Sequence, residues 1–224
     1  IKLSDSSIPF KDTKYFYWTK TTKVGNYSIK IRRKIGSKVN EVIWDGDKEK
    51  KRFKTAYFGI GDLNVSKNDL FLGYSLDLKG SEYYDIRFRN LKKGSDTNDI
   101  IKGTNGSILF SFDSKYVFYS KLDNNHRSKE IFLHKIGTSQ NLDKLVYSEK
   151  VDRFSVSIYP TTDEKFFVIS SGDHAANKLY TLQIKNNEVN LKVFKDFKEN
   201  ISYSLDSWNN YFYLHTNEKA KDFK

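Results

Sequence analysis

The sequence has four histidines, the side chains best suited to acid–base chemistry. Three of them, His126, His174 and His215, stand in no clear catalytic pattern. His174 follows Asp173, and an acid that orients an imidazole forms part of many catalytic sites. Adjacent residues point apart, however, so we expect a loop there rather than a dyad. His126 lies in a predicted turn as a surface residue, and His215 ends a predicted strand without a partner.

Thiol and metal chemistry are not indicated. The chain has no cysteine, which excludes a disulfide scaffold, a thiolate metal site and a cysteine nucleophile. No group of histidines and acids has the spacing of a known metal-ligand set, so we predict no metal and no other cofactor. No apolar run approaches the roughly 18 to 20 residues that cross a bilayer, so we predict no membrane segment.

The charge of the chain is basic, with 39 Lys and Arg against 28 Asp and Glu and a net charge of +11. Residues 48–54 are rich in lysine and are followed by Tyr57 and Phe58, and interleaved basic and aromatic residues can bind single-stranded nucleic acid. A solvated connection between elements is the favoured alternative, because the lysines are spread over the whole chain. We therefore expect no nucleic-acid partner. Arg32, Arg33 and Lys34 lie on one predicted strand, in which successive side chains point to opposite faces. We expect these side chains mostly to face solvent or a neighbouring domain.

A repeat in the sequence predicts the elements that carry these side chains. Each copy has a polar opening that suits a tight turn and then a largely aromatic or aliphatic run that suits a strand. The copies begin 56, 45, 50 and 45 residues apart, at FKDTKYFYWT (10–19), SKNDLFLGYS (66–75), SFDSKYVFYS (111–120), TTDEKFFVIS (161–170) and DSWNNYFYLH (206–215).

Three further strands accompany the repeats. Alternating segments follow the first four copies, for example EYYDIRFRN (82–90), in which Ile86 and Phe88 face away from Arg87 and Arg89. Third and fourth segments complete each unit. Four antiparallel strands at a period of 45 to 50 residues are typical of a β-propeller blade. We predict an all-β propeller fragment of about four blades plus the first two strands of a fifth. No helix is predicted, and a loop is favoured over a short helix for residues 45–53.

The whole of residues 1–224 is interpreted as a single incomplete propeller. The sequence begins with Ile1 and contains no methionine, so we expect a piece of a longer chain. A chain that ends inside a blade is expected to form an open arc, and an open arc exposes a sheet edge.

One run carries a specific resemblance. HKIGTSQNLDKLVYSEKVDRFSVSI (134–158) resembles the propeller of the prolyl oligopeptidase family of serine peptidases, through its His-x-Leu/Ile-Gly-Thr and Asp-x-Leu-Val-Tyr patterns. Two more segments, 82–94 and 170–183, are similar to family strands and loops in the correct order. The stretch ENISYSLDSWNNYFYLHTNEKAKDF (199–223) is most similar to the oligopeptidase B branch. The residues that carry the motifs are His134, Gly137, Thr138, Asp143, Tyr147 and Asp206, and we interpret them as structural.

The resemblance implies a seven-bladed propeller joined to an α/β-hydrolase domain with a Ser-Asp-His triad, whose serine stands in a Gly-x-Ser-x-Gly turn. No such pentad occurs in this sequence, so no catalytic residue is assigned here and the hydrolase domain is expected after Lys224. The implied role is a cytoplasmic, non-catalytic gate that admits short peptides, cleaved after Lys or Arg. Glu82 is a candidate contact with the hydrolase domain, with an exposed acid of a turn as the favoured alternative. A stand-alone propeller that binds protein or nucleic acid is the alternative.

Overall fold

The structure is a computed structural model, which describes residues 4–224. Its nineteen strands form antiparallel sheets that succeed one another along the chain. The strands of blade 1 are β1 (Asp5–Ser6), β2 (Phe10–Asp12), β3 (Tyr15–Thr21), β4 (Ile29–Lys34) and β5 (Glu41–Asp45). Blade 2 contains β6 (Gly59–Val65), β7 (Phe71–Asp77), β8 (Tyr84–Asn90) and β9 (Ser95–Thr104).

The second half of the chain continues the same order. Blade 3 contains β10 (Leu109–Phe110), β11 (Tyr116–Leu122), β12 (Ser128–Lys135) and β13 (Lys144–Ser148), with a short 3-10 turn at Gln140–Leu142. Blade 4 contains β14 (Ser155–Pro160), β15 (Phe167–Gly172), β16 (Asn177–Lys185) and β17 (Glu188–Lys195), and two strands of a fifth blade follow, β18 (Tyr203–Trp208) and β19 (Tyr211–Thr216). The predicted propeller fold is confirmed.

Two faces of the arc follow from this strand order. Because successive strands are antiparallel, the connections from first to second and from third to fourth strand lie on one face, here called the turn face. The turn face includes residues 13–14, 66–70, 91–94, 111–115 and 161–166. The remaining loops and the connections between blades lie on the opposite face, here called the crossover face, which includes residues 78–83, 105–108, 123–127, 149–154 and 173–176.

Hydrophobic side chains pack between blades rather than within them. Four separate clusters fill the four boundaries between successive blades. The boundary of blades 2 and 3, for example, contains fully buried Ile86 and Phe88 from β8 beside Val117 and Tyr119 from β11. The predicted alternation along β8 is therefore confirmed, and each core requires two blades.

The polar openings of the repeats form a recurring turn. In blade 3, the Ser111 hydroxyl donates to Asp113 Oδ1 over 2.7 Å and accepts from the Tyr116 amide over 2.9 Å. Ser114 then takes the left-handed conformation, with φ 60°. The first and third residues of the turn are paired in the same way in blades 2 and 4, as Ser66 with Asn68 and Thr161 with Asp163.

These turns also bind to the next blade. The Thr13 hydroxyl of blade 1 donates to Asp69 of blade 2 over 2.7 Å, and the buried Tyr17 hydroxyl donates to the same carboxylate over 2.7 Å. The Asn68 amide of blade 2 donates to Ser114 Oγ of blade 3 over 3.0 Å. The turn face therefore has polar contacts at the same blade boundaries that the hydrophobic clusters fill.

Residues 46–53 form a helix, so the favoured loop was wrong. Helix α1 (Gly46–Phe53) begins after Asp45, whose side chain accepts a hydrogen bond from the Lys48 amide, and it ends at Lys54 in the left-handed conformation. The segment is too polar to show an apolar helical period. Its stability comes from contacts with blade 2, in which Glu49 pairs with Arg89 over 2.8 Å.

Arg32 is buried, so the expectation that it faces solvent or a neighbouring domain was also wrong. Only 5% of its surface is exposed. Its guanidinium donates to Glu41 over 2.7 Å and to the Asp69 backbone carbonyl over 2.7 Å. The side chain therefore links blades 1 and 2, a contact that depends on residues 37 positions apart in the sequence.

Candidate functional site

The turn face brings three blades together at one lysine. Lys67 Nζ of blade 2 lies 2.6 Å from Glu164 Oε1 of blade 4 and 3.7 Å from Asp12 Oδ1 of blade 1. Blade 3 stands between blades 2 and 4, so a direct contact between their turns requires a position where the blades converge. Lys67 therefore marks the axis of the arc on the turn face.

The electrostatics of this axial cluster favour the charged form of the lysine. Burial acts to lower the pKa of Lys67, but the hydrogen bond to Glu164 and the charges of both acids outweigh it and raise that pKa above its ordinary value. The three side chains are partly exposed, so the ion pairs are screened by solvent. Sequence reasoning did not single out this cluster, although all three residues lie in the polar openings of the repeats.

His134 is enclosed in a polar cluster between blades 2 and 3. It is 0% exposed, with Nδ1 2.7 Å from Asp143 Oδ1 and Nε2 3.4 Å from Asp99 Oδ2. The Gly137 amide donates to Asp99 as well, with Gly137 at φ 90°. The sequence analysis interpreted this histidine as structural; its ring packs on Phe88, and its polar partners are two carboxylates.

The rest of the 134–147 motif surrounds this cluster. The Tyr119 hydroxyl donates to Asp143 Oδ2 over 2.9 Å, and burial together with that hydrogen bond raises the pKa of the phenol. The Thr138 hydroxyl closes the adjoining turn on the Lys135 carbonyl over 2.7 Å. Asp99 belongs to blade 2, and no pattern in the sequence singles it out.

Tyr147 belongs to a second buried cluster, centred on Glu149, which sequence reasoning missed. Glu149 is 6% exposed and accepts from the Tyr147 hydroxyl over 2.7 Å and the Ser171 hydroxyl over 2.5 Å, and it pairs with Lys178 over 3.0 Å. Burial acts to raise the pKa of Glu149, but the hydrogen bonds from Ser171, the Val151 amide and Tyr147 lower it to about 2. The cluster joins blade 3 to blade 4.

Asp206 lies at the boundary of blade 4 and the fifth blade. Its carboxylate accepts from the Thr162 amide over 2.7 Å and from the Thr162 hydroxyl over 2.6 Å. These hydrogen bonds lower the pKa of Asp206. Its position in the repeat matches Ser111 and Thr161, but Asp206 binds the preceding blade instead of closing its own turn.

Glu82 is exposed on the crossover face, in the loop of residues 78–83. The loop is held by Asp77, which is buried and accepts from the amides of Lys79, Gly80 and Glu82 over 2.8 to 2.9 Å. Burial acts to raise the pKa of Asp77, but these backbone hydrogen bonds lower it. The Glu82 side chain is thus presented from a fixed loop.

The other three histidines have separate surroundings. His126 lies in a turn of the crossover face, as predicted, and its ring contacts Tyr83 of blade 2 with centroids 4.5 Å apart. His174 is exposed in the loop of residues 173–176, and His215 stacks on Phe223 at 4.8 Å. Among residues 4–224, no group of three or more His, Asp or Glu side chains is arranged to hold a metal ion, and that part of the chain contains no helix with the length and hydropathy of a membrane span.

Comparison with known proteins agrees with this geometry. The family model described as the prolyl oligopeptidase N-terminal β-propeller domain matches residues 1–224. The chain belongs to the prolyl oligopeptidase family. Among curated relatives of the family, dipeptidyl aminopeptidase BI of Pseudoxanthomonas mexicana is 26% identical and protease 2 of Moraxella lacunata is 21% identical, over 100% and 99% of this chain.

Solved structures of family members share the fold. Oligopeptidase B of Leishmania major superimposes on 100% of the chain with a TM-score of 0.93 at 24% identity. Oligopeptidase B of Trypanosoma brucei, in a closed form with covalently bound antipain, covers 97% with a TM-score of 0.88 at 22% identity. The chain spans 33% of the length of both curated relatives, about a third, and 32% and 31% of the two structures.

Replacing His134 is expected to destabilise the protein because Asp99 and Asp143 would lose their shared buried partner. For His134→Phe we expect a loss of about 3 kcal/mol in the free energy of unfolding. Urea denaturation measures this loss, with His174→Phe as the matched control on an exposed loop, for which a change within about 0.5 kcal/mol is expected. Equal effects of the two exchanges would contradict a stabilising role for the cluster.

Glu149 is expected to make stability depend on pH in the acid range. Its pKa of about 2 in the folded protein lies below the ordinary value of 4.5. The stabilisation is therefore fully present above about pH 5 and is lost as the pH falls toward 2, by an amount of about 3 kcal/mol. Unfolding measured from pH 6 to pH 2 tests this, because Glu149→Gln removes that pH-dependent component whereas exposed Glu188→Gln retains it. A profile unchanged by Glu149→Gln would refute the assignment.

Proposed function

We propose that this chain is the substrate-gating propeller of a serine-type oligopeptidase similar to oligopeptidase B, which hydrolyses short peptides after Lys or Arg. The observation that carries the proposal is the family match over residues 1–224, in a chain that spans 33% of relatives named as peptidases. The hydrolase domain, with its Ser-Asp-His triad, is proposed to lie beyond Lys224 and to supply all of the chemistry. We place the whole protein in the cytoplasm.

The strand order supports a docking side for that domain. In each complete blade, the first strand begins and the last strand ends on the crossover face. The chain therefore enters and leaves each blade on that side. A domain that continues the chain is therefore expected to attach to the crossover face. The Trypanosoma brucei structure is described as a closed form, which supports domain closure in the protein proposed here.

The axial cluster on the turn face supports the gating role. Contacts of Lys67 with Glu164 and Asp12 place three charged side chains at the axis, on the face opposite the proposed docking side. The blades of a complete propeller surround a central channel. Charged side chains at this point would narrow its mouth on the turn face and hinder long peptides. Their partly exposed ion pairs are weak enough to break during passage.

Size selection by the whole enzyme tests the function and the gate together. We expect the full-length protein to hydrolyse short peptides that contain Lys or Arg, and residues 1–224 alone to hydrolyse none. Lys67→Met is expected to raise kcat/KM for the longest cleaved peptides about tenfold relative to the shortest, because the axial ion pairs are lost.

The matched control is Lys115→Met, since Lys115 pairs with Asp113 inside its own turn on the same face, at 3.5 Å. This exchange should leave the length profile unchanged. Hydrolysis by residues 1–224 alone would overturn the assignment, whereas identical length profiles for both lysine variants would overturn the gate only.

Glu82 is proposed to form an ion pair with the hydrolase domain in the closed state. Its fixed loop on the crossover face supports this role. Glu82→Gln in the full-length enzyme is expected to shift the protein toward open forms and to lower turnover severalfold, which small-angle scattering and steady-state kinetics measure. Unchanged closure together with unchanged turnover would dismiss the contact.

A further inference from the structure

A cleft of about 440 Å³ opens on the turn face between blades 1 and 2. Its walls come from the turn after β2, the last residues of β4, the first residue of β5, and the two turns of blade 2 on this face, residues 66–70 and 91–94. Six of its lining residues are charged, four of them cations and two of them acids: Lys14, Arg32, Lys34, Lys92, Glu41 and Asp69. The blade boundary itself therefore forms the cleft.

Arg32 provides a rigid cation in the wall of the cleft. Its guanidinium is 4.3 Å from the Tyr15 ring centroid and makes three hydrogen bonds, two with Glu41 and one with the Asp69 carbonyl. A guanidinium has five N–H donors in a fixed plane, so it can donate further hydrogen bonds beyond these three. The orientation of this cation is set before any ligand arrives.

The two acids of the cleft are already engaged. Glu41 is paired with Arg32, at 2.7 Å. Asp69 accepts hydrogen bonds from the hydroxyls of Thr13 and Tyr17. Both carboxylates are therefore committed to contacts within the fold.

The three lysines have no such partners. Lys14, Lys34 and Lys92 form no ion pair within 4.0 Å with any carboxylate of residues 4–224. Lysine abundance alone does not produce this excess, because the cleft on the crossover face beside Lys79 and Lys102 contains two lysines and two acids. The cleft between blades 1 and 2 thus gathers four positive side chains, and its two acids do not balance them.

We propose that this cleft binds a small oxyanion ligand with at least two negative charges, carried by phosphate or carboxylate groups. A buried, oriented guanidinium supplies directional donors for oxygen, and the surrounding ammonium groups supply mobile charge. The ligand would contact blade 1 through Lys14, Arg32 and Lys34 and blade 2 through Lys92. It would therefore strengthen the boundary between the two blades.

Calorimetric titration of the full-length protein at low salt tests the site, with inorganic pyrophosphate and citrate as the probes. We expect saturable binding of pyrophosphate at one site, weakened by added salt, and a rise in the melting temperature. Lys34→Met/Lys92→Met is expected to raise Kd at least tenfold, since both side chains are exposed and unpaired. Binding of citrate as well would define a general oxyanion site, and binding of pyrophosphate alone would define a phosphate site.

The matched control is Lys79→Met/Lys102→Met, which removes the same charge from the cleft on the crossover face. Its Kd for pyrophosphate should stay within about twofold of the unmodified protein. The proposal is overturned if neither probe saturates, if Lys34→Met/Lys92→Met leaves Kd unchanged, or if the control pair weakens binding equally. Peptidase assays on the same variants show separately whether the enzyme is active.

Discussion

Every hydrophobic cluster of this chain lies between two blades, and the rest of the structure depends on that arrangement. A single four-stranded sheet leaves both faces uncovered, so a blade becomes stable only when its neighbours cover it. The order of the blades along the chain supplies those neighbours at once. Ile86 and Phe88 of blade 2 share one cluster with Val117 and Tyr119 of blade 3, so each new blade completes the core that the preceding one begins.

Apolar packing alone does not set how far one blade is rotated against the next, and polar contacts at the boundaries fix this geometry. His134 between Asp99 and Asp143, Glu149 with its hydroxyl and ammonium partners, and Asp206 on Thr162 each hold one boundary. The His134 and Glu149 clusters combine directional hydrogen bonds with burial, which makes an altered spacing costly, whereas the hydrogen bonds between Thr162 and Asp206 are exposed. The motif residues that identify the family are therefore concentrated where blades meet.

The sequence predicts most of the fold because its repeats and its alternation are local properties. Strand positions, the number of blades and the burial of Ile86 and Phe88 all follow from residues close together in the chain. Helix α1 was not predicted because its stability rests on Glu49 and Arg89, which are 40 positions apart. Burial of Arg32, the role of Asp99 and the axial position of Lys67 likewise depend on contacts between blades, which no local pattern encodes.

The contact between Lys67 and Glu164 differs in kind from the others because it omits a blade. Contacts between neighbours join consecutive blades, but the link between blades 2 and 4 passes blade 3 and connects their two turns directly at the axis of the arc. A change in the angle between blades 2 and 4 would therefore stretch this pair, and because the pair is partly exposed and weak, the two turns can separate at little energetic cost.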